Sequence, residues 1–132
     1  MNITTFFYWA ARLIAAVIMF QTLYFKFTGA EESVYIFTTV GMEPWGRIGV
    51  GVMELIASVL LIITPTAWLG AGLGLGLMAG AIGMHVFMLG IEVNGDEGQL
   101  FLYAVIVAIC SAYILYQDRK KLIGFIKSML SR

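Results

Sequence analysis

Residues 67–89 read AWLGAGLGLGLMAGAIGMHVFML, and no lysine, arginine, aspartate or glutamate interrupts them. Wound as a helix at about 1.5 Å per residue, such a run crosses the roughly 30 Å hydrocarbon core of a bilayer. It lacks the polar–apolar alternation that a barrel strand needs. Lipid offers backbone groups no partner outside the segment itself, so a helix is the predicted state. Three further stretches share this character, at about 6–27, 46–63 and 100–116. The sequence therefore predicts an all-α fold: an integral membrane four-helix bundle forming one domain over 1–132.

Composition points the same way. The chain has 132 residues, 61% of them hydrophobic and only 12% charged, with a mean hydropathy of +0.92. Soluble domains carry about a quarter charged residues, and one this small leaves too much surface in water to hide so apolar a chain. A lipid bilayer is thus the first expected partner. Eight basic and eight acidic residues cancel, so no global field favours nucleic acid. The single cysteine, Cys110, excludes both an intrachain disulfide and a CxxC redox pair. The N-terminus has no positively charged leader, and Arg12, Gln21 and Lys26 interrupt its apolar run; a cleaved signal peptide is not expected.

The connections set an orientation. Between the first two spans lies a loop with Glu31, Glu32, Glu43 and the turn formers Pro44 and Gly46. Only Thr64-Pro65-Thr66 joins the second to the third. The third connection carries Glu92, Asn94-Gly95, Asp96 and Glu97, and Arg119-Lys120-Lys121 follow the last span. Basic residues beside a span favour the cytoplasmic side, so both termini are expected inside and both acidic loops outside. Lys26 and Arg47 run against this trend, but each neighbours acidic residues. The tail 118–132 is amphipathic. Leu122, Phe125, Ile126 and Met129 share one helical face, and Lys120, Gly124, Lys127 and Ser131 another. That pattern predicts a short helix lying on the inner leaflet, attracted to anionic lipid by about 1 kcal/mol per basic residue.

The third span is glycine-rich. Gly72, Gly76 and Gly80 follow the small-xxx-small spacing that lets helices approach closely, and Gly70, Gly74 and Ala81 form a second small stripe. Packing against two neighbours at once is the expectation, with Ala104, Ala108 and Ser111 as a seam on the fourth span. The stripe could equally serve a homo-oligomer. A phosphate loop is excluded, because no Lys-Ser/Thr follows the glycines.

Ionisable residues inside a span cost about 2.5–3.5 kcal/mol each and are functional candidates by default. Glu54 is the sharpest, some 10–12 Å below the outer end of its span and on one face with Arg47, Gly51 and Ser58. A carboxyl there is either paired with a cation or protonated. It serves proton transfer, a polar ligand head, or a clamp between helices. His85, the one histidine, lies at similar depth and suits acid–base or hydrogen-bonding work. With no second His or Cys at ligand spacing, no metal site and no haem are expected. Lys26 ends the first span at the same level, where it either snorkels or joins the other two. These three come from three helices and predict a small polar pocket in the outer half of the bilayer, walled by Tyr24, Met53, Met84 and Met88. Arg12, near the inner end, is expected to reach headgroups or to clamp a neighbouring helix.

Phe25-Lys26-Phe27-Thr28-Gly29, then Gly49-Val50-Gly51-Val52-Met53-Glu54-Leu55, then Gly80-Ala81-Ile82-Gly83-Met84-His85, then Gly95-Asp96-Glu97-Gly98 resemble, in this order, the DoxX-like family of small bacterial membrane proteins. The resemblance runs over about residues 8–115. It implies a four-helix bundle in a bacterial inner membrane. Some relatives are named as the membrane subunit of a thiosulfate:quinone oxidoreductase, and others are associated with redox-stress membrane complexes. By position, Lys26, Glu54, His85 and Asp96 match polar positions of the family pattern, which adds Asp96 to the candidate pocket, and Arg12 matches the arginine near its start. The chain departs from dithiol quinone reductases in lacking paired cysteines.

Three functions follow. The first is a quinone-associated membrane subunit of an oxidoreductase complex, with membrane or periplasmic partners carrying the electrons and Glu54 and His85 at the quinone head. No cofactor is expected to be built in; a quinone is the one this reading uses. The second is a small proton-coupled transporter with Glu54 as carrier group. The third is a membrane scaffold without its own activity. Fold does not choose among them, because function belongs to the site.

Overall fold

The computed structural model describes residues 2–131. It has six α-helices: α1 (Ile3–Thr28), α2 (Glu31–Thr39), α3 (Trp45–Ile62), α4 (Ala67–Met84), α5 (Gln99–Gln117) and α6 (Arg119–Leu130). A 3₁₀ turn, Thr64–Thr66, leads into α4, and a π-helical turn, His85–Leu89, continues it. No strand occurs among the described residues. Four helical stretches are long and apolar enough to cross a membrane: Ile3–Thr28, Trp45–Ile62, Thr64–Leu89 and Gln99–Gln117. The expected spans fall within a few residues of these. At the start of α1 Asn2 caps the helix by accepting a 2.8 Å hydrogen bond from the Thr5 N–H, so the helix begins three residues before its expected start.

The four spans form a ring. α1 packs against α3 and α5, and α4 packs against the same two, leaving α1 and α4 across a diagonal. The core is built from small side chains: Ala15, Ala57 and Ala71 are fully buried, with Met19, Leu61 and Val107 filling between them. Large apolar side chains such as Val17, Phe20, Val59 and Ile109 point outward, as a lipid-facing surface requires.

Only one of the two glycine stripes is packed. A Cβ on Gly70 would stand 2.8 Å from the Ala57 carbonyl oxygen and the Leu61 nitrogen, both backbone atoms that cannot yield, and one on Gly74 would stand 3.2 Å from Ser111 Oγ. α3 and α5 thus close on the Gly70–Gly74 side. At Gly72, Gly76 and Gly80 a Cβ would meet nothing within 4 Å. The expectation of two packed small faces fails within one chain, because both neighbours of α4 sit toward the ring's interior.

The first loop also differs from expectation. Instead of an irregular connection it holds α2, whose Ser33 and Phe37, one turn apart, are buried against the bundle end. At the opposite, basic end, α6 takes the expected form over 119–130, with Arg132 outside the described residues. Its Phe125 ring lies 5.4 Å from that of Trp68 at the start of α4. That ring contact touches the bundle, but no residue of α6 is buried, and Ile123, Phe125, Ile126 and Met129 are all exposed.

Arg12 is wholly buried at this end. Its Nε donates to the Leu61 carbonyl at 2.7 Å and its Nη2 to the Ile62 carbonyl at 2.8 Å, while the guanidinium lies 3.7 Å from the Trp9 ring centre. The last carbonyls of a helix have no partner in their own helix, and a cation there is favoured by the helix dipole. These contacts clamp α1 to the end of α3.

Candidate functional site

The site starts from the two ends of an ion pair. Glu54 is on the inward face of α3, with 3% of its surface exposed. Lys26 is in the last turn of α1. Arg47 fixes that turn: it pairs with Glu43 at 2.9 Å and donates to the Lys26 carbonyl oxygen. The Lys26 side chain is then free to turn inward, and its Nζ meets Glu54 Oε1 at 2.8 Å. Thr22, one turn earlier, completes the cluster: Lys26 Nζ donates to its Oγ1 at 3.3 Å. That hydroxyl lies 3.2 Å from Glu54 Oε2 and 2.8 Å from the Met19 carbonyl, so its one proton serves one of the two. In place of snorkelling, the simpler reading of Lys26, its half-buried ammonium pairs with the buried Glu54.

His85 stands where α4 widens. The Gly90 N–H bonds to the His85 carbonyl at 2.7 Å, an i→i+5 closure that inserts a residue into the last turn and re-aims the side chains after it. The ring is 5% exposed, stands edge-on to Phe101 with 5.7 Å between centres, and has Nδ1 3.0 Å from the Gly90 carbonyl oxygen. A carbonyl only accepts, so Nδ1 carries the proton and Nε2 of the neutral ring is an acceptor. No hydrogen-bond partner for Nε2 occurs among the described residues.

A cavity of about 450 Å³ joins these groups. Lys26, Glu54 and His85 all line it, together with Thr22, Glu32 of α2, and Gln99 and Tyr103 of α5. Gln99 Nε2 donates to the Tyr103 hydroxyl at 2.7 Å. α2 roofs the cavity with Glu32, Ile36 and Phe37. Of the expected wall only Met84 is present. Tyr24, Met53 and Met88 are exposed on the outer surface, because Tyr24 lies two residues from Lys26, and Met53 one from Glu54, around their helices. Among the described residues no three His, Cys, Asp or Glu side chains gather where a metal ion would be held.

Asp96 stands apart from the cavity lining. Its Oδ1 accepts from Gly98 N–H at 2.8 Å and Val93 N–H at 3.0 Å, and its Oδ2 from Leu100 N–H at 3.1 Å. It organises the turn that starts α5, where Asn94, Gly95, Glu97 and Gly98 all have positive φ. Burial raises the Asp96 pKa, but the N–H groups of Val93, Leu100 and Gly98 outweigh it, helped by the nearby His85, and the net direction is down. Glu32 goes the other way, raised by burial and then by the charge of Asp96.

The signs of pH dependence follow. A depressed carboxyl stabilises the fold above its unfolded value of about 3.9 and loses that contribution as pH falls through the lower folded value. Glu32 contributes oppositely, losing stability as pH rises. Asp96→Asn is expected to lower stability at neutral pH by about 1–2 kcal/mol and to flatten the acid limb of melting temperature against pH. Equal melting temperatures for the two proteins from neutral pH to pH 3 would show that the carboxylate does not hold this turn.

The family model for DoxX matches residues 7–90. The chain belongs to the DoxX family. The DoxX match takes in Arg12, Lys26, Glu54 and His85 and ends at Gly90, the residue that anchors the His85 ring. Membership and four spanning helices make this DoxX chain a multi-pass membrane protein. Among curated proteins and among solved structures, the comparison found no match.

Of the polar cavity residues that escaped the sequence reading, Thr22 and Glu32 did so for different reasons. Thr22 was legible, since its one-turn spacing from Lys26 sets both on one face. Glu32 was not, because nothing local showed that its loop would fold into a helix over the site.

Proposed function

We propose that this chain is the quinone-associated membrane subunit of an oxidoreductase complex in a bacterial inner membrane, with the quinone head in the α2-roofed cavity. The carrying observation is the convergence of Lys26, Glu54 and the unpartnered Nε2 of His85 on one cavity from three different helices. A quinone, when bound, accepts two electrons and two protons. Lys26 Nζ would donate a hydrogen bond to a ring oxygen. His85 Nε2 would accept one from a hydroxyl of the reduced ring. Glu54 keeps Lys26 oriented, and Glu32 links the cavity to the aqueous edge. The chain offers only Cys110 as a thiol, so electrons come from a partner subunit. Basic residues on α6 and acidic loops at the other end support cytoplasmic termini and a cavity in the outer half of the bilayer.

The transporter reading has less support. A carrier exposes its site to both faces in turn, and beneath the cavity the fully buried Ala15, Ala57, Ala71 and Val107 close the bundle. The test is a titration of a decyl-tailed benzoquinone into protein held in lipid nanodiscs, with folding checked in parallel. Saturable binding is expected in wild type, weaker by about 10- to 100-fold in His85→Ala and Glu54→Gln, the loss that follows from one hydrogen bond to a charged or strongly polar partner. Absence of binding in folded wild type overturns the proposal. Unaltered binding in both variants assigns the polar cluster to scaffolding.

A further inference from the structure

The cavity is not walled off from the membrane. Gly76 and Gly80 line it, yet both are exposed on the outer surface of α4, and a Cβ at either would meet open space. At these positions the wall is bare backbone, with nothing beside it on the outer side of α4. Val50 of α3, half-buried, lines the same cavity. The opening has a defined depth. Gly80 and Gly76 precede His85 along α4 by about 7 and 13 Å at 1.5 Å per residue, so the opening is nearer the middle of the bilayer than the charged groups are. Beyond the opening, the same face continues to Gly72, where a Cβ would also meet nothing within 4 Å. Polar groups toward the surface and an apolar exit toward the midplane repeat the polarity of an amphiphile standing in one leaflet. The unpartnered Nε2 of the buried His85 marks where its head would be held.

We propose that the cavity is loaded sideways from the bilayer by a single-tailed, lipid-soluble ligand, whose polar head meets Lys26, Glu54 and His85 and whose hydrocarbon tail leaves over Gly76 and Gly80 along the bare face of α4. This rests on the ligand reading above and adds to it the class of ligand and its route. It also gives the unpacked glycine stripe a role: side chains there would fill the tail's track, whereas the packed Gly70 and Gly74 serve helix approach.

The experiment compares a decyl-tailed benzoquinone with the same ring lacking the tail, in nanodiscs, on wild type, on Gly76→Leu/Gly80→Leu and on Glu54→Gln. The double variant has room for both side chains and replaces a poor helix former with a good one, so it is expected to fold. It should bind the tailed quinone at least about tenfold more weakly and the tail-less ring within about twofold of wild type, because only the tail loses its apolar contacts. Tailed binding that is unchanged in the double variant but lost in Glu54→Gln overturns the route and leaves the pocket intact. Equal loss of both ligands in the double variant also overturns it, since the leucines would then act on the head site. A wild-type dimer that the double variant turns to monomer, with binding unaltered, assigns the stripe to a second copy. Wild type that binds neither probe overturns the ligand reading itself.

Discussion

Replacing Lys26 with methionine is expected to destabilise the folded protein by about 3–5 kcal/mol, the cost of stranding a charge whose partner has been removed. Glu54 is almost wholly buried, and without Lys26 only the Thr22 hydroxyl remains beside its carboxylate. Glu54→Leu is expected to cost nearly as much, because the Lys26 ammonium then keeps only Thr22 Oγ1. The double variant Lys26→Met/Glu54→Leu is expected to recover most of the loss, since an ion pair exchanged for apolar side chains of similar volume is often close to neutral in stability. Unfolding by SDS in mixed micelles, run on all four proteins, gives the coupling energy directly. Additive losses would show that the two charges do not stabilise each other. The same cycle separates stability from function: a stable double variant that no longer binds quinone places the charges at the ligand, whereas one that still binds it makes them structural.

Arg12→Ala is expected to be as damaging, again about 3–5 kcal/mol, for a different reason. It deprives the Leu61 and Ile62 carbonyls of the side-chain donor they have among the described residues, and hydrogen bonds to a charged group each contribute about 1.5–3 kcal/mol. It also removes the stack on Trp9 and opens a void in the wall between α1 and α3. Arg12→Lys is expected to recover less than half. A single ammonium cannot hold two carbonyls in the planar fork of a guanidinium while lying flat on an indole. The same SDS unfolding reads the outcome. Wild-type stability in Arg12→Lys would mean that positive charge at the end of α3 is sufficient and the fork is not used. Quinone affinity in any folded Arg12 variant is expected to be unchanged, since Arg12 lies at the end of the bundle away from the cavity.

These residues show how far the sequence could be read. Glu54 and His85 were conspicuous because a polar group in an apolar helix is costly wherever the helix packs. Their shared depth followed from counting residues along each span. That Lys26 turns inward could not be counted. It depends on Arg47 holding the end of α1 and on α3 presenting Glu54 at the right rotation. Asp96 shows the opposite limit. Resemblance set it among the pocket residues, but the backbone of its own turn occupies both carboxylate oxygens.

By itself the sequence determined the number of spans, their limits to within a few residues and the amphipathic end. Each of these is a property of one contiguous segment: its apolar length, and the need of its backbone to satisfy its own hydrogen bonds in lipid. Only the tertiary structure decided which glycine stripe is packed and which is open, that α2 roofs a cavity, and which acid Lys26 meets. Those outcomes depend on how each helix is rotated about its axis relative to its neighbours. That rotation is set by contacts between residues far apart in the chain, so no single segment encodes it.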